Sequence, residues 1–192
     1  MERKMAEIGF IGAGNMGGPM LANLIKAGHA VSVFDLSQEA LEGAQAAGAT
    51  VAASPGDAAA GRDTVITMLP AAANVRTALL GDDGACGSLA EGSLIIDMST
   101  VGAGDSMALA ADLAGRGYRM IDAPVGRGPL QAEAGTLLIM AGGAAEDVDA
   151  ARPLFDCIAE RVVHVGPQGH GVKLKLVNNY MSMVSDATTA ET

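Results

Sequence analysis

A run of glycines, Gly12-Ala13-Gly14-Asn15-Met16-Gly17, separates an apolar stretch from a helix-like one, and an acid, Asp35, closes the next apolar stretch. These residue types suit a pyrophosphate. Glycines permit a tight turn and a close backbone approach, and the unpaired N–H groups of a helix start face phosphate oxygens. An acid at the place of Asp35 accepts hydrogen bonds from ribose hydroxyls and repels a 2′-phosphate. A glycine triad alone is weak evidence. Strand, glycines, helix, strand and acid in one short unit form a dinucleotide-binding pattern. The cofactor it predicts is NAD(H) rather than NADP(H). The alternative, a glycine-rich turn with no ligand, is disfavoured by that context.

A second polar set lies near the end of the chain. Lys175, Asn178, Asn179 and Ser182 fall at spacings that share one face of a helix. Leu174, Leu176, Val177, Met181, Met183 and Val184 fill the rest of the circumference. So narrow a polar stripe suits a buried helix that lines a site, whereas a surface helix has a broad polar face. The alternative is that the stripe is simply the wet side, which Asp186 and Thr189 extend.

The elements that must position these residues alternate. Strands are predicted over residues 8–11, 31–34, 50–51, 64–68, 93–97 and 118–121, with helices over 16–27, 38–47, 55–60, 72–80 and 105–116. This order implies a mostly parallel sheet with helices on both faces, a Rossmann-type doubly wound α/β fold. After Asp122 the pattern changes. A glycine-rich loop over 126–135 leads to extra strands at 136–140 and 161–165, with a helix at 145–158 between them. A loop over 166–171 opens a last helix from Val172. The acids Glu146, Asp147 and Asp149 read as a solvated first helical turn.

Composition sets the outer bounds. Of the 192 residues 49% are apolar and only 3% aromatic, so small and aliphatic side chains must fill the core. A formal charge of −10 argues against nucleic-acid and anionic-membrane partners. Cys86 and Cys157 stand in no metal or redox spacing and read as reduced thiols of a cytoplasmic protein. No histidine has a ligand partner at metal spacing, residues 1–7 lack the apolar core of a signal peptide, and no stretch has the length of a membrane span.

Several motifs in order carry a family resemblance: Gly12-Ala-Gly-Asn-Met-Gly17, Met68-Leu69-Pro70, Asp97-Met98-Ser99-Thr100, Asp122-Ala-Pro-Val125, Gly135-Thr136-Leu137, Ala141-Gly-Gly143, Gly169 with Gly171, and Lys175-Leu-Val-Asn-Asn179. The chain resembles the N-terminal part of the β-hydroxyacid dehydrogenase family, relatives of 6-phosphogluconate and 3-hydroxyisobutyrate dehydrogenases. The resemblance implies that Lys175 is the catalytic acid/base and Asn179 its partner. It implies that Met68, Leu69, Pro70 and Thr100 contact the dinucleotide together with Gly12, Gly14, Asn15, Met16, Gly17 and Asp35. It places Ser99, Gly126, Arg127, Gly128, Asn178 and Ser182 at the substrate. It also implies a homo-oligomer. Residues 1–171 would be the NAD-binding domain, and 172–192 the start of a helix leading to an all-helical domain beyond this chain.

One departure bears on the substrate. Most relatives carry a serine and then glycines after Asp-Ala-Pro-Val, where this chain has Gly126-Arg127-Gly128. That run resembles family members that reduce a sulfonated aldehyde, in which the arginine binds the sulfonate. Gly128-Pro129 departs from the polar pair that such members carry next. A sulfonate is a tetrahedral anion, and arginine supplies a rigid fork of donors for it. The plain alternative is an exposed loop arginine in a salt bridge. The expected activity is therefore NAD-dependent interconversion of a small anionic aldehyde and its β-hydroxy acid. The alternatives are an enzyme for 3-hydroxyisobutyrate or tartronate semialdehyde, in which Arg127 binds a carboxylate, and a dinucleotide-binding fragment without activity.

Overall fold

A computed structural model describes residues 5–190. Nine strands form a single sheet. Its parallel part consists of β1 (Glu7–Ile11), β2 (Ala30–Phe34), β3 (Thr50–Val51), β4 (Thr64–Thr67), β5 (Leu94–Asp97) and β6 (Arg119–Asp122), in the order β3-β2-β1-β4-β5-β6. This is the strand order of a doubly wound dinucleotide-binding sheet. Helices α1 (Gly17–Lys26), α2 (Gln38–Ala46), α3 (Pro55–Ala59), α4 (Ala72–Leu80) and α5 (Ala103–Ala114) make the crossovers.

Two cores follow from the strand alternation, because successive side chains leave opposite faces of a sheet. Phe10, Ile66, Ile96 and Ile121 are neighbours across β1, β4, β5 and β6 and enter the core that includes residues of α1 and α2. Val65, Ile95 and Met120 point the other way, into the core that includes residues of α4 and α5. With few aromatics, the largest fully buried side chains are two phenylalanines, Phe10 and Phe155, beside methionines, leucines and isoleucines.

The second half extends the sheet. β7 (Val125–Gly126) carries on the line of β6, with Asp122 opposite Gly142, Val125 opposite Ile139 and Gly126 opposite Leu138. Their shared partner, β8 (Leu137–Gly142), runs antiparallel to both and pairs in parallel with β9 (Ala159–Gly166). A short helix, α6 (Pro129–Glu133), interrupts the stretch expected to be loop; Pro129 in its first turn is pre-set for a helix start. Helix α7 (Ala145–Ile158) lies between β8 and β9.

One expectation needs correction. Asp147 is not solvated: it is buried and pairs with Arg119 of β6 at 2.5 Å. A sheet residue can take a first-turn acid out of solvent when it supplies the countercharge. The last helix, α8 (His170–Ala190), begins two residues before the expected start. Only Gly171 and Val172 are buried, and Leu176, Val177, Met181 and Met183 are exposed. Its start packs on β6, β7, β8, β9 and α5, and the rest leaves the domain with its apolar side uncovered among the described residues.

Candidate active site

The glycine run turns between β1 and α1. Gly12 has φ +101°, and a Cβ there would stand 2.3 Å from the Met68 carbonyl oxygen. A Cβ at Gly17 would stand 1.9 Å from the Gly12 oxygen. Both glycines are therefore fixed by packing within the turn. Gly14 differs: a Cβ there would meet nothing within 4 Å, so its open side is free for a ligand. No side chain caps the start of α1, and its first turn holds no acid. A cradle of bare backbone at an uncapped helix start fits a pyrophosphate.

A cavity of about 600 Å³ opens beside this turn. Gly12, Gly14, Asp35, Met68, Leu69 and Pro70 all line it, so it joins most of the residues expected to hold the dinucleotide. Asn15 and Met16 follow at the start of α1, and Thr100 is exposed just beyond β5. Asp35 accepts the Ala13 N–H through Oδ2 at 2.6 Å and the Ser37 N–H through Oδ1 at 2.8 Å. Leu36, Pro55, Asn74, Thr77, Asp82 and Asp83 also line this cavity, and the sequence motifs do not single them out. Leu36 alone has a local signal, as an apolar side chain in the turn after Asp35.

The substrate-side residues lie around α8. Lys175 is half-buried, and burial lowers its pKa below the usual lysine range. Asn179 is half-buried as well, while Asn178 and Ser182 are exposed. The Ser182 hydroxyl donates to the Asn178 carbonyl at 3.0 Å. Because β7 packs against α8, the Gly126-Arg127-Gly128 run lies alongside the lysine helix.

Arg127 takes φ +75°, the left-handed region that a side chain seldom occupies. Its Nη1 donates to the Glu160 carboxylate and to the Thr136 carbonyl, both at 2.5 Å. Both bonds use Nη1, and the edge of the fork formed by Nε and Nη2 takes no part in them.

Ser99, which the resemblance places at the substrate, lies just beyond β5. It is fully buried, and its Oγ accepts the Leu69 N–H at 2.9 Å. The hydroxyl is thereby committed to the loop that lines the cofactor cavity. Ser99 stands two residues beyond the buried Asp97, whose Oδ1 accepts its N–H and draws it inward.

The start of α8 is held by an acid from β6. Asp122 accepts the Gly169 N–H on Oδ1 at 2.6 Å and the Val172 N–H on Oδ2 at 2.7 Å. Burial raises its carboxyl to about 6, against the opposing effect of these two donors.

Residues 7–166 match the family described as the NAD binding domain of 6-phosphogluconate dehydrogenase. The chain is similar to the 3-sulfolactaldehyde reductase of Escherichia coli, 44% identical over 187 residues, or 97% of this chain and 63% of that protein. It is 45% identical to the NAD-dependent L-serine dehydrogenase of Pseudomonas aeruginosa, with the same coverage. The solved structure of Mycobacterium tuberculosis 3-hydroxyisobutyrate dehydrogenase with L-serine superposes with a TM-score of 0.93 at 38% identity, covering 98% of this chain and 64% of that one. The chain thus spans a little under two thirds of the length of these relatives.

Proposed function

The chain belongs to the β-hydroxyacid dehydrogenase family, and from that premise we propose that it serves the NAD(H)-dependent interconversion of a small anionic aldehyde and its β-hydroxy acid, with 3-sulfolactaldehyde as substrate. The observation that carries the substrate is Arg127: an arginine between two glycines, held at φ +75° directly after β7, the strand that packs beside the Lys175 helix.

The dinucleotide, when bound, supplies or accepts the hydride. The glycine turn and Asp35 hold it, and Leu69 and Pro70 line its cleft. Lys175, as ammonium, gives a proton to the oxygen of the carbonyl being reduced and takes it back in the reverse direction. Its lowered pKa brings that proton nearer the working range of both directions. Asn179, one turn further along α8, offers an amide donor to the same oxygen. A fixed positive charge aimed at a developing alkoxide is worth roughly 3 kcal/mol in sites of this kind.

Arg127 holds the anionic end of the substrate. Its present partner Glu160 is exposed, and an exposed ion pair is worth about 0–1 kcal/mol, little enough for a bound anion to displace. The Glu160 pair also favours a second reading, in which Arg127 only braces the loop; in a third, Arg127 binds the carboxylate of 3-hydroxyisobutyrate or tartronate semialdehyde.

Turnover of Arg127→Ala and Arg127→Lys tests the choice. A charge-assisted contact is worth roughly 1.5–3 kcal/mol, so Arg127→Ala should raise KM for 3-sulfolactaldehyde by about one to two powers of ten. Arg127→Lys should also lose affinity, because an ammonium lacks the fork. Silent substitutions would make Arg127 a loop brace, and better turnover of carboxylated semialdehydes would move the substrate to the carboxylates.

A further inference from the structure

Two buried carboxyls end neighbouring strands. Ile11, Thr67, Asp97 and Asp122 stand side by side across β1, β4, β5 and β6, and the two acids are 1% and 0% exposed. Each serves a different part of the site. Asp97 uses one oxygen: Oδ1 accepts the Thr67 hydroxyl at 2.9 Å and the Ser99 N–H at 3.1 Å. Ser99 in turn accepts the Leu69 N–H, which ties Asp97 to the cofactor loop. Its Oδ2 has no partner among the described residues.

Asp122 uses both oxygens, one on each N–H of the α8 start. The packing there has no slack. A Cβ at Gly142 would stand 2.6 Å from Asp122 Oδ1, and one at Gly171 would stand 2.2 Å from the Met140 carbonyl oxygen. The first turn of α8 is therefore pressed onto the sheet at the point where Asp122 receives it. A carboxylate at a helix start is also favoured by the helix dipole. Lys175 follows Val172 by about one turn on the same helix.

We propose that Asp97 and Asp122 are a pair of positioning residues, Asp97 for the Leu69 side of the cofactor cleft and Asp122 for the helix that carries Lys175 and Asn179. Neighbouring strand ends then keep the two halves of the site in register. Neither acid touches the reactants. The role rests on the reading of Lys175 as the acid/base.

The two acids should respond differently to an amide. At position 97, Asn keeps Oδ1 for Thr67 and Ser99 and turns its NH2 to the side that has no partner. At position 122, Asn can accept only one of the two N–H groups, and its NH2 opposes the other. The test is steady-state turnover of 3-sulfolactaldehyde and NADH titration with the protein as expressed from its gene, at a temperature where circular dichroism shows every variant folded.

Asp122→Asn should lose kcat by on the order of 10- to 100-fold, the effect of a slight misplacement of a catalytic group. NADH affinity and substrate KM should stay within about twofold, because ground-state binding is untouched. Asp97→Ala should weaken NADH binding, and unchanged NADH affinity in that variant would overturn the Asp97 half of the proposal. Should Asp122→Asn not fold, Asp122→Ser keeps one acceptor oxygen in a smaller side chain and should cost kcat in the same way. Parent-like kcat in Asp122→Asn, or in Asp122→Ser where that variant stands in, would overturn the proposal, as would an equal loss of NADH affinity. Lys175→Ala separates the two ideas: retained turnover there sinks the acid/base reading, whereas its loss beside a silent Asp122→Asn sinks the positioning role alone.

Discussion

The Asp35 carboxylate accepts the Ala13 N–H at 2.6 Å, so the acid that closes β2 also holds the glycine turn that follows β1. One side chain thus shapes the phosphate turn and lines the cavity next to it. Asp35→Ala should weaken NADH binding by roughly 1–3 kcal/mol, since a donor loses its charged acceptor and the ribose loses its own. The preference over NADPH should narrow at the same time, because the repelling charge is gone. Fluorescence titration with both reduced cofactors measures this. Unchanged NADH affinity would take Asp35 out of the site.

Gly14 and Gly17 should separate binding from folding. Gly14→Ala adds a methyl into open space and should leave the melting temperature unchanged while weakening NADH binding. Gly17→Ala drives a methyl into the Gly12 carbonyl and should lower the melting temperature. A Gly14→Ala variant that binds NADH normally would mean that the pyrophosphate lies elsewhere.

Lys175→Ala should leave NADH binding nearly intact and slow the chemical step by on the order of a hundredfold or more. Asn179→Ala should act in the same direction and more mildly. Single-turnover measurements on the full-length protein isolate that step from product release.

Stability should depend on pH through Asp122. Its carboxyl lies at about 6 in the folded chain against the ordinary 3.8, so the folded state holds more protons than the unfolded state between these values. Unfolding free energy must therefore fall as pH rises through that window: the contribution is full below about 4 and is lost as pH passes about 6. Burial of Asp97 acts in the same direction. Urea denaturation between pH 4 and pH 7 should show a shallower fall in Asp122→Asn than in the parent, and equal slopes would contradict the assignment.

The outer part of α8 should be adhesive in the 192-residue chain. Met181 is 63% exposed and Met183 71%, beside exposed Val177 and Val184. An apolar surface of this kind drives association. Light scattering should detect species larger than a monomer, and Met181→Glu combined with Met183→Glu should remove them. A parent chain that stays monomeric at every concentration would refute this.

Much of the fold was legible because the signals are local. Glycines before a helix, an acid after a strand and Gly81 after Leu80 act through neighbouring backbone, so the cofactor turn and α4 could be placed from residue order alone. Apolar runs of strand length between helical periods were enough for a parallel sheet. The surroundings of α8 were less legible: an apolar circumference calls for cover, and among the described residues α8 meets other elements only near its start.

The sequence by itself determined the alternation of strands and helices and the glycine turn between the first two of them, since both follow from spacing along the chain. Tertiary structure decided which polar groups stay free to act. It buried Ser99 under Leu69, paired Asp147 with Arg119, set Glu160 on Arg127 and brought Asp122 to the start of α8. The partners in these contacts lie 28 to 50 residues apart, and Asp122 meets Val172 at the far end of that range. Hydrogen bonds of that reach depend on which strand ends become neighbours, and no local pattern of residue types records that.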